Sequence, residues 1–123
     1  MTDRLADFAE RTEDFAIQTV RLYELLPHSA AAQAFGRQLL RCGSSVGAHY
    51  AEAQHSRSAA EFIAKINGAR QEAQESIYWL RLILRLQCIP EDILQAAMME
   101  AGEIRAILMT MSANARKRSS QGR

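Results

Sequence analysis

The chain has 123 residues, of which 48% are hydrophobic and 24% charged, a balance that fits one globular domain and excludes a wholly disordered protein. Its net charge of +1 is uneven: residues 112–123 hold four of the 15 basic residues and no acid, which leaves 11 bases against 14 acids, or −3, in residues 1–111. Only two prolines interrupt long runs of good helix formers, so the composition predicts an all-α protein.

The first predicted helix spans residues 4–26 and ends before Pro27, because the residue before a proline is biased away from the helical backbone conformation. Its apolar side chains recur at helical spacings, as expected of a helix with one buried face. The predicted buried stripe consists of Leu5, Phe8, Phe15, Leu22 and Leu26, widened by Ile17, Val20 and Leu25.

The second predicted helix spans residues 30–53, with Ser29 as its amino-terminal cap. Its core-facing side chains, at intervals of three or four residues, are Phe35, Leu39, Cys42, Val46, His49 and Ala53. Gly43, Gly47 and Ala51 lie beside them. A glycine inside a helix costs about 1 kcal/mol relative to alanine, so these positions predict a close helix contact. A nucleotide-binding loop is not favoured, since no strand precedes them.

The third predicted helix spans residues 58–87 and begins with a capping-box pattern, Ser58 followed by Glu61. Its second half is apolar on most sides, and a helix of that kind must be covered all round. One bundle covers only one side of each helix, so the apolar surface that remains on this helix predicts an oligomer interface. The predicted interface residues are Ile77, Tyr78, Trp79, Leu82 and Leu86.

The fourth predicted helix spans residues 90–114 and begins at Pro90, followed by acidic residues that complement the helix dipole. Its predicted buried stripe is Ile93, Ala97, Ala101, Ile104, Leu108 and Met111. Residues 1–114 therefore form one predicted domain, and residues 115–123 a basic, disordered tail. Short links between long helices predict an antiparallel up-down-up-down four-helix bundle.

A line of polar residues runs beside the apolar seam of the second helix and is predicted to face the third. If the hairpin turns near residues 56 and 57, residues whose numbers sum to about 113 lie level, which pairs Arg41 with Glu72 and Ser45 with Gly68. This polar seam consists of Arg41, Ser45, His49, Glu52 and Glu72. Buried polar residues in bundles commonly fix helix register, so a packing role is favoured over a ligand site.

Residues 37–86 resemble the ribosomal-RNA intervening-sequence family of bacterial proteins. The resemblance is carried by Arg41, Ser44, Ser45, Val46, Gly47, Ala48, Glu52, Ala53, Ser58, Glu61, Phe62, Glu72, Ala73, Glu75, Tyr78, Trp79 and Leu80. His49 stands where the family usually has asparagine, and Ala53 where many members have glycine. The resemblance implies a cytoplasmic bundle that forms ring-like homopentamers without established enzymatic activity. A distantly similar bundle is the accessory subunit of diversity-generating retroelements, which binds a reverse transcriptase and nucleic acid.

No pattern of catalytic or metal-binding residues is recognisable. Bundle di-iron sites need Glu-x-x-His motifs, whereas this chain has the reverse order, His49 to Glu52, so neither metal nor cofactor is expected. The amino-terminal residues form neither a signal peptide nor a membrane span, which predicts a cytoplasmic protein. In that compartment Cys42 and Cys88 are expected to be thiols, and neither has an activating base at motif spacing.

Two functional hypotheses remain, and neither is enzymatic. The apolar third helix favours an oligomeric scaffold or interaction protein. The alternative is a nucleic-acid-binding accessory subunit that acts with an RNA or a reverse-transcriptase partner, favoured by 13 arginines against 2 lysines and by the basic tail. Its predicted contacts are Arg116, Lys117 and Arg118. Neither a membrane nor a small-molecule substrate is inferred.

Overall fold

The computed structural model describes residues 4–121, with side chains from residue 7 onward, and within this range it contains four α-helices and no strand. The helices are α1 (Arg4–Leu25), α2 (Ala30–Ala53), α3 (Ala59–Leu86) and α4 (Glu91–Gln121). The predicted all-α, four-helix class is confirmed. The side chain of Leu5 and residues 122 and 123 lie outside the described part. None of the described helices is long and apolar enough to span a membrane.

Serine caps determine where α2 and α3 begin. The Ser29 hydroxyl accepts a hydrogen bond from the Ala32 amide at 3.3 Å, and the Ser58 hydroxyl accepts one from the Glu61 amide at 3.1 Å. Each satisfies an amide that the first turn of a helix leaves without a partner. At the other end of α3, Gln87 adopts the left-handed conformation with φ 55°, which stops the helix.

The last helix is longer than the sequence pattern predicts, because α4 continues through Gln121 and residues 115–121 are helical rather than disordered. Its buried face continues beyond residue 114. Ala115 is buried, and the buried Ser112 hydroxyl donates to the side-chain oxygen of Asn67 on α3 at 3.1 Å. The extra turns themselves lie beside α3, where Ser119 and Ser120 line a groove with Ile63, although the sequence around them is basic.

The core forms two clusters along the bundle, and its edges differ from the predicted stripes. Tyr50 is buried where the pattern placed His49, because its ring meets the edge of Phe8 at 4.8 Å between centroids. On α4, Leu94 is fully buried and Ile93 is 37% exposed, so the buried stripe begins one residue later than predicted. Met111 is only partly buried and packs at the edge of one cluster.

The prediction that Ile17, Val20 and Leu25 widen the buried stripe of the first helix is wrong, since all three are exposed. Among the described residues α1 packs beside α2 and α4 only, and its buried face is correspondingly narrow. The fully buried α1 residues Thr12, Phe15, Thr19 and Leu22 recur at intervals of three, four and three. The apolar side chains outside this narrow face are left at the surface.

Glycines on α2 allow α1 to approach closely, as predicted for Gly43 and Gly47. A methyl group added at Gly43 would lie 2.7 Å from Cγ2 of Thr19, and one at Gly47 would lie 2.8 Å from Oγ1 of Thr12. Both threonine hydroxyls donate to carbonyls of α1 itself, three residues earlier. The two helices therefore meet with little space between their backbones, while Ala51 is exposed and takes no part.

An ion-pair network joins α1 to α4 beside the apolar core. The guanidinium of Arg11 donates from Nε and Nη2 to the two carboxylate oxygens of Glu100, both at 2.8 Å, and also contacts Glu103. Hydrogen bonding to Arg11 lowers the pKa of the Glu100 carboxyl. This bidentate geometry is the strongest arrangement for such a pair and fixes the position of α1 on α4.

We expect the substitution Gly43→Ala to destabilise the fold by about 1–3 kcal/mol, because the added methyl overpacks the α1–α2 contact. Denaturant unfolding at fixed protein concentration measures this loss. Adding Thr19→Ala removes the opposing atoms and should recover part of it. A loss of equal size with and without Thr19→Ala would show that the close contact is not its cause.

The Arg11–Glu100 pair should make stability depend on pH in the acid range. The folded state lowers the pKa of Glu100, so the unfolded chain, in which a glutamate titrates at about 4.3, binds the proton more readily. The stabilisation is present above that value and is lost as pH falls through the folded pKa. Melting temperatures from pH 6 to 3 should therefore fall less steeply for Glu100→Gln than for the wild type. Asp14→Asn, which removes an exposed carboxylate that has no ion pair among the described residues, is the control, and identical slopes for both variants would contradict the prediction.

Candidate functional site

The predicted polar seam lies along the contact between α2 and α3. Arg41 forms ion pairs with Glu72, at 3.5 Å, and with Glu75. The Ser45 hydroxyl donates to the carbonyl of Arg41 in its own helix at 2.7 Å. Glu52 binds Lys65 on α3 at 2.8 Å. The structure thus brings Arg41 to Glu72 as predicted, but it ties Ser45 to α2 alone.

The register between α2 and α3 is shifted by about one turn from the predicted one. Gly68 faces His49 rather than Ser45, and a methyl group added at Gly68 would lie 3.1 Å from Nδ1 of that histidine. Helical side chains lean toward the amino terminus of their own helix. That direction leads away from the α2–α3 connection in α2 and toward it in α3. Each side chain of α2 therefore meets a residue later in α3 than a count of backbone positions indicates.

His49 is held by packing rather than by hydrogen bonds. Its Nδ1 is buried and has no hydrogen-bond partner, while its ring occupies the space above Gly68. The side chain is only partly buried, and the Glu52–Lys65 pair lies next along the same face. This geometry suits a spacer between two helices and gives the imidazole no orienting acid of the kind that a general base needs.

The ionisable groups around the seam are tuned by pairing and burial. The hydrogen bond between Glu52 and Lys65 lowers the pKa of the Glu52 carboxyl and raises the pKa of the Lys65 ammonium. Burial raises the pKa of the Cys42 thiol, which accepts a hydrogen bond from the Ser76 hydroxyl at 3.3 Å. A thiol in this environment stays neutral and unreactive at physiological pH, because the thiolate is the nucleophilic form.

Within the described residues, no three histidine, cysteine or acidic side chains are grouped so that they could hold a metal ion.

The two partners that the sequence prediction missed are Glu75 and Lys65. Glu75 follows the seam residue Glu72 by three positions on α3, and Lys65 binds the seam residue Glu52 from α3. The signal for Glu75 was its three-residue interval from Glu72, which places both carboxylates on one side of α3.

The predicted oligomer interface divides between the core and the surface. Ile77 is only 7% exposed and packs in the core against α4, so its assignment to an interface is corrected. Trp79 is partly buried. The centroid of its ring lies 5.9 Å from that of Phe35, and its indole nitrogen donates to the Glu75 carboxylate at 3.0 Å. By contrast, Tyr78 is 52% exposed and Leu86 39% exposed, with Leu82 partly exposed between them.

The three basic residues near the carboxyl end lie on the last turns of α4. Arg116, Lys117 and Arg118 are all exposed, and Arg116 lines a groove with Ile63 of α3. They are carried by a helix rather than by a disordered segment, so their positions are fixed relative to α3.

Comparison with known proteins agrees with this architecture. A solved structure of a Bacteroides thetaiotaomicron protein of unknown function, from the S23 ribosomal protein family, shares 32% sequence identity. The match covers 85% of this chain and 97% of that one, with a TM-score of 0.79. No protein with a curated description matches. The sequence pattern of the 23S rRNA-intervening sequence proteins matches residues 6–110, and the chain therefore belongs to that family.

Proposed function

We propose that the protein is a non-enzymatic interaction protein: an up-down-up-down four-helix bundle that assembles with further copies of itself. The observation that carries this proposal is the apolar outer face of α3, formed by Tyr78, Leu82 and Leu86. These side chains lie outside the core clusters although other apolar residues of the same helix fill those clusters. Exposed aromatic and aliphatic side chains grouped on one face are typical of protein interfaces.

The contacts between helices support the up-down-up-down order. Residue numbers rise along one helix while those of their partners fall along the next, as antiparallel neighbours require. The pairs are Thr12 with Gly47 and Thr19 with Gly43; Cys42 with Ser76 and Glu52 with Lys65; Asn67 with Ser112 and Gln74 with Arg105.

Tyr78 is well placed to act as an interface anchor. Its ring meets the edge of Trp79 at 5.0 Å between centroids, and Trp79 is itself held by Phe35 and Glu75. The tyrosine is thus positioned before any partner arrives, which reduces the entropy lost on binding. Its hydroxyl also gives a polar end that suits the edge of an interface.

The remaining features of the proposal come from the family resemblance and from the chemistry of the seam. The resemblance implies a ring of five copies. The cytoplasm is the compartment that we propose, in which the free thiols Cys42 and Cys88 persist. A non-enzymatic role is supported by the polar seam, because its charged groups are engaged in contacts between helices.

Sedimentation velocity at micromolar concentration tests the assembly. We expect the wild-type mass to be a multiple of 13.8 kDa and Tyr78→Glu to weaken self-association at least tenfold. Ile93→Glu, which places the same charge at another exposed apolar position, is the control and should leave association unchanged. A monomeric wild type, or equal effects of the two substitutions, would refute the proposal.

A second candidate function is nucleic-acid binding as an accessory subunit of an RNA-containing or reverse-transcriptase complex. The observation that favours it is the fixed group of Arg116, Lys117 and Arg118 on the last turns of α4, with no acid after Glu103 in the sequence. Arginine and lysine on an ordered helix suit contact with a phosphate backbone.

Fluorescence anisotropy with a labelled single-stranded RNA tests this second candidate. Replacing Arg116, Lys117 and Arg118 with glutamine should weaken binding and lower the salt dependence, by about 0.7 in log–log slope for each phosphate that is no longer neutralised. The control replaces Arg21, Arg37 and Arg57, which lie elsewhere on the surface, with glutamine. Equal losses in the two triple variants would count against a specific contact by α4.

A further inference from the structure

α1 presents a surface stripe with both acidic and apolar side chains. Glu10, Glu13, Ile17 and Val20 follow one another at intervals of three, four and three residues and so share one face of the helix. All four are exposed, Ile17 by 53% and Val20 by 38%. Among the described residues no base pairs with Glu10 or Glu13. We call these four residues the acidic stripe.

A groove with the opposite charge runs between α3 and α4. Two adjoining hollows of about 410 and 440 Å³ share Arg105; the first is also lined by Arg70 and Met109, and the second by Arg81 and Met99. No acidic side chain lines either hollow. We call the combined surface the arginine groove.

The acids of α3 and α4 nearest to this surface are engaged elsewhere. Glu72 and Glu75 contact Arg41 on the side of α2, and Glu100 and Glu103 contact Arg11 on the side of α1. Within the described part of the chain, Arg70 and Arg81 have no ion-pair partner. The positive charge of the arginine groove is therefore not neutralised from within the bundle.

Gly102 lies in the second hollow and has no packing role in one copy of the chain. A methyl group added there would meet nothing within 4 Å, unlike those at Gly43 and Gly47. A glycine on the surface of a helix lowers helix stability, and its usual compensation is a close approach by another group. The position of Gly102 thus indicates an approach from outside the bundle.

We propose that the acidic stripe of one copy docks into the arginine groove of a second copy. The two surfaces match in length: Glu10 to Val20 spans about 15 Å of helix and Arg70 to Arg81 about 16 Å, at 1.5 Å per residue. They are also complementary in chemistry: Glu10 and Glu13 are opposite in charge to Arg105 and to the arginine at one end of the groove, and Ile17 and Val20 are apolar like the methionines of the two hollows. This inference rests on the proposed self-association and adds these two surfaces to the apolar face of α3.

One copy cannot satisfy both of its own surfaces. Across the described residues α1 makes no contact with α3, and the acidic stripe is on the outer side of α1. The contact joins two different surfaces, so each bound copy leaves an unused stripe and an unused groove for the next. Such head-to-tail contacts generate a ring when the rotation between successive copies closes.

A second copy fits the arginine groove better than nucleic acid does. Met99 is 66% exposed and Met109 48% exposed, so part of the groove surface is apolar. A phosphate backbone would not bury these side chains. Exposed apolar side chains on both surfaces, with charged residues at their edges, are the usual anatomy of a protein–protein interface.

Charge reversal tests the pairing by sedimentation velocity. Glu10→Arg/Glu13→Arg alters the stripe, Arg70→Glu/Arg81→Glu alters the groove, and each should weaken association at least tenfold. A chain with all four substitutions restores opposite charges and should recover assembly. Arg37→Glu/Arg57→Glu repeats the charge change of the groove variant elsewhere on the surface and should leave association unchanged. Circular dichroism checks that every variant is folded.

The outcomes separate this inference from the proposed function. Assembly that persists in both two-residue variants overturns the inference but leaves self-association intact, whereas a monomeric wild type overturns both. Loss in the groove variant alone, or failure of the four-residue variant to recover, shows that the stripe is not the occupant. A groove variant that loses binding to single-stranded RNA while its assembly is unchanged would assign the groove to nucleic acid and overturn the inference.

Gly102→Gln gives an independent test that adds no charge. Under conditions where the chain is dissociated, its melting temperature should equal or exceed that of the wild type, because glutamine is the better helix former. Its self-association should be at least tenfold weaker, since the side chain fills the groove. Unchanged self-association would contradict a close approach at this position.

Discussion

The close contact between α1 and α2 sets the orientation of every side chain on the first helix. Gly43 and Gly47 leave room only for Thr19 and Thr12, so α1 cannot rotate about its axis without a clash between these groups and the backbone of α2. With that rotation fixed, Arg11 is directed to α4 and Glu10 to solvent. The surface chemistry of α1 thus depends on two glycines of its neighbour.

α2 has a different kind of contact on its other side. Toward α3 it presents charged and polar groups, and the separation between the helices is maintained by the His49 ring above Gly68 and by the ion pairs of Arg41. Partly exposed ion pairs contribute modestly to stability, but they distinguish one register from another. The bundle therefore combines a close, uncharged contact at glycines on one side of α2 with a contact that includes ion pairs on the other.

Sequence periodicity located the helices well because prolines, serine caps and apolar repeats act locally. Pro27 and Ser58 determine helix ends through their own backbone and side-chain chemistry. The end of α4 could not be found in this way, since its last turns lie beside Ile63 of α3, which is distant in sequence. Composition alone indicated disorder there.

The same limit explains the errors at the candidate site. The pairing of Arg41 with Glu72 followed from helix order, whereas the partner of Gly68 depended on the lean of side chains, which a count of backbone positions omits. Ile17 and Val20 were assigned to the core because they are apolar. Their common face with Glu10 and Glu13 was the available sign that this side of α1 is exposed.

The separation of charge between α1 and the α3–α4 groove also gives each copy an electric dipole across the bundle, although its net charge is only +1. A dipole exerts a torque on a similar molecule before the two surfaces touch, over roughly the 8 Å screening length of physiological salt. In the proposed assembly, approaching copies are turned toward each other during diffusion, and collisions in the wrong orientation become less frequent. Ionic strength then acts on the rate of encounter as well as on the strength of the contact.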